Sequence, residues 1–200
     1  MGLVAAVLGL SACTALRPAP STPPVFYSFE MQPSQATPAA PGMAIPSLPT
    51  LIINPVQAAP GFDSQRLMYV LENHELAYFA HSEWVDTPAR MLSPLLVAAI
   101  EQTGAFGAVV ATPTSVSGDV RLDTTILRLQ HNFLTSPSRV QFTLRAYLSD
   151  EKTRRVLAWR EFNAEAVAAS DSPQGGVAAT QVAVQDVLAQ LAQFLARSVR

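Results

Sequence analysis

From Val140 to Leu148 the chain alternates without a break. Val140, Phe142, Leu144, Ala146 and Leu148 take one parity; Gln141, Thr143, Arg145, Tyr147 and Ser149 take the other. A period of two places the sets on opposite faces of a strand, one dry and one wet. "DEKT", Asp150–Thr153, is a tight turn, and Arg154–Val167 returns as the second arm of an antiparallel hairpin. A sheet with one apolar face must be covered. The chain supplies the cover at its end, where Val177, Val184, Val187, Leu188, Leu191 and Leu195 recur at helical spacing within Gly175–Val199. The expected fold is therefore α+β: a mostly antiparallel sheet with two long helices packed on one face, in a single domain.

The first of those helices starts at Asp86 or Thr87, which caps it, with Pro88 in the first turn, where its missing N–H costs nothing. Leu92, Leu95, Leu96, Ala99 and Ile100 continue at helical spacing, and Gly104 ends the run. Pro94 interrupts this pattern, so a kink or a delayed start is expected. Further strands are expected at Val25–Met31 and Thr50–Val56. Ala58–Gln65 is turn chemistry, and Leu67–Glu72 with Glu75–His81 forms a hairpin about Asn73-His74. Gly118–Phe133 is a longer strand whose apolar phase changes between Ile126 and Leu127, which predicts a bulge or a change of packed face.

The N-terminus is of another kind. Met1–Ala12 is almost wholly apolar, uncharged, and closed by the small residues Ser11 and Ala12. That is the pattern of a secretory signal, too short to span a bilayer as a helix. Leu10-Ser11-Ala12-Cys13 is similar to a bacterial lipobox, and Cys13 is the one cysteine of the chain. Lipidation of Cys13 would make it the mature N-terminus, and disulfides within the monomer are excluded. The basic residues usual before such an apolar run are absent, which points to a start assigned too late. Thr14–Pro24, with four prolines, cannot bury a core and reads as a tether reaching at most about 40 Å. Gln32–Pro49 is a second Pro/Ala-rich segment, a long loop between two strands. Residues 1–12 are thus read as signal, 13–24 as lipidated cysteine and tether, and 25–200 as the folded domain.

The search for chemistry returns little. The net charge of −2 offers no basic field for nucleic acid. No G-x-S-x-G elbow, phosphate loop, C-x-x-C or H-E-x-x-H occurs, and His74, His81 and His131 are not spaced as metal ligands. Asp63, Glu83 and Asp86 could pair as carboxylates, but so few acids carry no signal, and Asp86 fits a helix cap. No catalytic residue, metal or cofactor is assigned, and the chain is read as not an enzyme. Charged residues make up only 14%, against roughly 25% in ordinary domains, which favours contacts with partners or with a second copy.

The segment "PGFDSQRLMYVLENHELAYFAHSEWVDTPARML" resembles the ABC-type transport auxiliary lipoproteins, the PqiC-like lipoproteins of intermembrane transport systems. The matching positions are Gly61, Phe62, Asp63, Ser64, Arg66, Leu67 and Tyr69, then Tyr78 or Phe79, Trp84, Asp86, Pro88 and Met91. "LSDEKTRRVLAWREF", "GGVAATQVAVQDVLAQLAQFL", the lipobox and the "YSF" strand agree in order and spacing, so the resemblance runs from about Cys13 to Leu195. It implies a non-enzymatic periplasmic subunit held at a membrane by its lipid. The partners implied are an ABC permease, an ATPase and a substrate-binding protein with mammalian-cell-entry (MCE) domains, which together move lipids or other hydrophobic molecules between membranes. Thr14, where an Asp would retain an enterobacterial lipoprotein in the inner membrane, points to the outer membrane.

Two alternatives stay open for the matched residues. Asp63 and Arg66 form either a local ion pair fixing a turn or a docking contact, and Trp84 is either a core plug or an aromatic anchor for a partner. On the closing helix, Gln185 and Gln193 lie away from the apolar stripe, on a side where another chain could approach. A second class of function is a structural or regulatory outer-membrane lipoprotein binding a cell-envelope partner such as a peptidoglycan synthase. A lipid-binding pocket would favour the transport reading.

Overall fold

The computed structural model describes residues 23–30 and 48–199. Among them the elements run β1 (Val25–Tyr27), β2 (Thr50–Ile53), β3 (Gln57–Ala58), β4 (Arg66–Val70), β5 (Leu76–Trp84), α1 (Pro88–Glu101), β6 (Ala108–Ala111), β7 (Val120–Asn132), β8 (Arg139–Asp150), β9 (Val156–Val167) and α2 (Pro173–Ser198). Cys13, the signal, most of the tether and nearly all of the Pro/Ala-rich loop lie outside the described residues.

The hairpin of β8 and β9 is formed as the alternation requires. Leu144 faces Phe162 and Phe142 faces Ala164 across the pair. All five apolar residues from Val140 to Leu148 are at most 1% exposed. Asp150 closes the turn by accepting from the Thr153 N–H at 2.6 Å and the Thr153 hydroxyl at 2.8 Å. Arg154 takes the left-handed conformation, φ 59°, so the return strand starts at Val156, two residues later than expected. In β7 the pairing register shifts between Ile126 and Arg128. Leu127 is the extra residue. Burial accordingly passes from even positions (Val120, Leu122, Thr124, Ile126) to odd ones (Leu129, His131).

The sheet is mixed, which corrects one part of the expectation. Antiparallel pairing holds for β4–β5, β7–β8 and β8–β9 and supplies most of the ladder. Five shorter pairs are parallel: β1–β5, β2–β6, β2–β7, β3–β7 and β4–β7. β7 organises them. One of its edges carries β8 along its whole length; the other is shared by β2 at its start, β3 at its middle and β4 at its end. Alternation shows that a strand has a wet and a dry face, but not which neighbour it bonds to. Hence β6 and β3 were not anticipated either.

α1 begins at Pro88 after Thr87, whose side chain makes no capping bond. Asp86 accepts from the Thr87 N–H at 2.7 Å and lies 3.5 Å from Arg90. Pro94 does not delay the helix, which runs on to Glu101. Both Pro94 and Arg90 are exposed, so the Arg90 carbonyl that loses its N–H partner meets water instead. α2 starts two residues before the expected glycine because Ser172 caps it, its hydroxyl accepting from the Gly175 N–H at 3.2 Å. Its inner stripe of Ala183, Val184, Val187, Leu188, Leu191 and Leu195 is buried against β8 and β9. Phe194 meets Phe162 edge to face at 5.6 Å. α1 packs beside α2, so a single apolar core lies between sheet and helices.

Candidate functional site

Where β4, β5 and β7 meet the first turns of α2, the packing leaves a small half-open cleft. Leu67, Met68, Phe79, Trp84, Leu129 and Val177 make its walls apolar, and His131 lies at its edge beside Gly176. The bulge at Leu127 sets this arrangement. It moves the odd positions of β7 to the buried side, so His131 points inward where a regular strand would have turned it to water.

His131 is 3% exposed and heads a hydrogen-bonded chain. Its Nε2 lies 2.9 Å from the Ser138 hydroxyl, and that hydroxyl donates to Asp171 at 2.5 Å. Since Ser138 gives its proton to Asp171, it accepts from His131, and the imidazole carries its proton on Nε2. Nδ1 is then a bare acceptor, buried and without a partner. It abuts Gly176, where a Cβ would come within 2.7 Å of it, so this turn of α2 requires glycine for close approach. Burial lowers the His131 pKa below its ordinary value, and the Asp171 carboxylate opposes that shift. The chain is not a nucleophile device. The serine stands between acid and base, and Ser138 is 2% exposed, beyond the reach of a substrate.

The residues singled out from sequence are not gathered into one place. Trp84 is 4% exposed and packs edge to face on Phe29 at 5.1 Å, in the position of a core plug lining the cleft. Asp63 and Arg66 do not form the local ion pair. Both are exposed, and the Arg66 guanidinium lies over the Tyr78 ring at 4.0 Å. Tyr78 stands beside it on the same hairpin through the Met68–Tyr78 pairing, so a stacked cation replaces the ion pair. Gln185 is half-buried with its amide nitrogen unpartnered, whereas Gln193 is exposed. The solvent side of α2 runs instead through Val182, Asp186, Ala189, Gln193 and Arg197. Among the described residues no cluster of His, Cys, Asp and Glu could hold a metal ion, and no helix is long and apolar enough to cross a membrane.

Other polar groupings carry no sequence signature beyond parity. The Gln181 amide accepts from the Glu30 N–H at 3.0 Å and donates to the Glu30 carbonyl, tying the N-terminal strand segment to α2. On the outer face of the sheet, Gln130, Gln141 and Glu165 form one row, Thr143 and Asn163 a second, Arg145 and Glu161 a third. Tyr147 stacks on Trp159 at 6.1 Å. Arg121 grips Glu151 through two nitrogens, at 2.6 and 2.7 Å, and this bond holds the Glu151 pKa below its ordinary value. His131 had one legible sign: after the phase change it shares the parity of Leu129.

Comparison with known proteins bears on most of the chain. The model of the family described as ABC-type transport auxiliary lipoprotein component matches residues 27–192. No curated protein matches. Among solved structures, the chain is similar to protein XCC0632 of Xanthomonas campestris, with 22% identity over 87% of this chain and 95% of that one, TM-score 0.75. An uncharacterized protein shares 15% identity over 90% and 100% of the two chains, TM-score 0.64. The hypothetical protein CT253 of Chlamydia trachomatis shares 8% over 76% and 98%, TM-score 0.56. At these identities the structures speak for the fold.

Proposed function

We propose, from the premise that this chain belongs to the ABC-type transport auxiliary lipoprotein family, that it is the non-catalytic, lipid-anchored docking subunit of an ABC/MCE-type system moving lipids between membranes. The observation that carries the reading is the family match across nearly the whole folded domain, preceded in sequence by a lipobox cysteine and a proline-rich tether. Membership makes the chain an auxiliary lipoprotein of the cell envelope associated with an ABC transporter. The finer assignment, attachment through Cys13 to the periplasmic face of the outer membrane and contact with the MCE-domain partner, is supported by the lipobox-like stretch, by Thr14 and by the family resemblance.

The cleft bears on how such a subunit works. The space in it open to the centre of a water-sized sphere is about 20 Å³, far below the roughly 300–1,000 Å³ of small-molecule sites. A lipid of two or three acyl tails does not fit there, so this cleft is not the lipid-binding pocket that would favour the transport reading; in the role proposed, the domain acts by contact and the lipid is handled by its partners. The test is made in cells carrying the whole system. The lipidated chain is captured from detergent-solubilised membranes, and the MCE-domain protein and permease are sought with it. In parallel, Cys13→Ser is fractionated. Joint capture, together with loss of Cys13→Ser from the membrane fraction and loss of the acyl mass, is expected. Capture of a peptidoglycan synthase in place of the transporter subunits would replace this reading, and a Cys13→Ser protein that stays in the membrane with unchanged mass would remove the anchor.

A further inference from the structure

The first turns of α2 are held on β7 by one side chain whose two ring nitrogens have opposite situations. Nε2 is committed to Ser138 and, through it, to Asp171 on the connection leading into α2. Nδ1 is sealed against Gly176 with no partner. The seat tolerates a bare nitrogen lone pair and does not tolerate an N–H. The Thr180 hydroxyl already donates to the Gly176 carbonyl at 2.9 Å, and the first turn of α2 carries no acidic side chain. A helix start also presents unpaired N–H groups and a partial positive charge, which repel a cation. The surroundings on every other side are equally unhelpful. β4 places Tyr69 in register with His131, β5 contributes Phe79 at 6.5 Å, the stretch after β7 contributes Phe133 at 4.1 Å, and β8 places Val140 opposite. Asp171 is the charged group that acts on the imidazole, and it does so from the Nε2 side through Ser138.

We propose that His131 is an acid-sensitive latch: neutral, it holds the start of α2 on β7, and a proton added at Nδ1 releases Pro173–Thr180 and opens the apolar cleft. The part of α2 that moves includes Pro173, Gly176 and Val177, which form one wall; Leu67, Phe79, Trp84 and Leu129 form the wall it uncovers. The rest of the helix, from Ala183 onward, stays on β8 and β9, where its buried stripe does not depend on His131. The latch goes beyond the docking role and does not need it: it concerns the domain's own conformation, whatever partner the uncovered wall meets.

The experiment is hydrogen exchange by mass spectrometry on the full chain in detergent, between pH 7.5 and 5, corrected for the chemical pH dependence of exchange. Exchange in peptides spanning 173–180 is expected to rise as pH falls, by up to tenfold per pH unit, the limit for one linked proton. Peptides spanning 184–195 are expected not to change. His131→Gln, whose amide can still donate to Ser138 but does not titrate, should abolish the rise. Asp171→Asn, which removes the anion favouring the charged ring, should move the onset to lower pH. The latch is overturned if 173–180 stays equally protected at pH 5, or if His131→Gln keeps the parent's pH response. Should His131→Gln fail to fold, the ring is followed by NMR in the parent chain. Titration of the imidazole in step with the exchange sustains the proposal, and titration without exchange ends it.

Discussion

Leu144→Ala tests the central premise of this fold, that the even parity of β8 is the face under the helices. Leu144 is 0% exposed at mid-strand, with Ile126 opposite on β7 and Phe162 opposite on β9. Phe162 in turn is pinned by Phe194 of α2, so the site is walled on three sides by side chains already in close contact and collapses poorly. Leucine-to-alanine changes at such sites cost about 2.7–5 kcal/mol, the transfer loss plus the cavity left behind. Against a total of roughly 5–15 kcal/mol the loss is large. At about 2–4 °C per kcal/mol for a domain of this size it corresponds to about 5–20 °C in Tm. The internal control is one residue away. Thr143 faces the outer side, and its hydroxyl donates to Asn163 at 2.8 Å. Thr143→Ala removes one hydrogen bond, about 1 kcal/mol, and about 2–4 °C. Thermal melts and urea titrations of parent and both variants decide the matter, with unchanged m-values showing that the denatured state is not what moved. If Leu144→Ala costs no more than Thr143→Ala, the parity has been assigned to the wrong face and the core described here is not the core.

Gly176→Ala is expected to destabilise by about 1–3 kcal/mol, because the new Cβ must displace the His131 ring or the first turn of α2; chemical denaturation at pH 7.5 measures it. Stability should also fall with acid. His131 is held below its ordinary pKa of 6.5, so the unfolded chain takes up the proton first; the group's contribution is whole above pH 6.5 and is lost as pH falls through the folded pKa, at no more than about 1.4 kcal/mol per pH unit, and parent-minus-His131→Gln urea curves between pH 7.5 and 5 isolate it. Gln193→Glu should leave the unfolding free energy within about 0.5 kcal/mol of the parent's, as an exposed change does, whereas Gln185→Lys should cost more because its amide end is buried; equal losses in urea titrations would show that the two share one surface. Arg66→Ala should cost about 0.5–1 kcal/mol through the lost Tyr78 stack, and Asp63→Ala nothing measurable; matched losses would restore the ion pair.

Sequence by itself determined the elements whose signal is local. The hairpin of β8 and β9, the phase change in β7, the β4–β5 hairpin and the approximate spans of α1 and α2 follow from periodicity and turn chemistry, which each act within a few residues. The family resemblance is likewise a set of strings of neighbours, readable without a fold. Tertiary structure alone decided what depends on partners far along the chain. Pairing of β7 with β2, β3 and β4 in parallel leaves no periodic trace, since a strand's alternation is the same whichever neighbour it bonds to. The stacking of Arg66 on Tyr78 displaced an ion pair that three residues of spacing made plausible, because the hairpin brings Tyr78 closer than the loop brings Asp63. The seat of His131 needs four separate pieces of chain at once: its own strand, Ser138, Asp171 and Gly176. No one of those residues is unusual where it stands. A bare nitrogen sealed inside the protein is a property of their meeting, and only the packing of α2 on the sheet creates it.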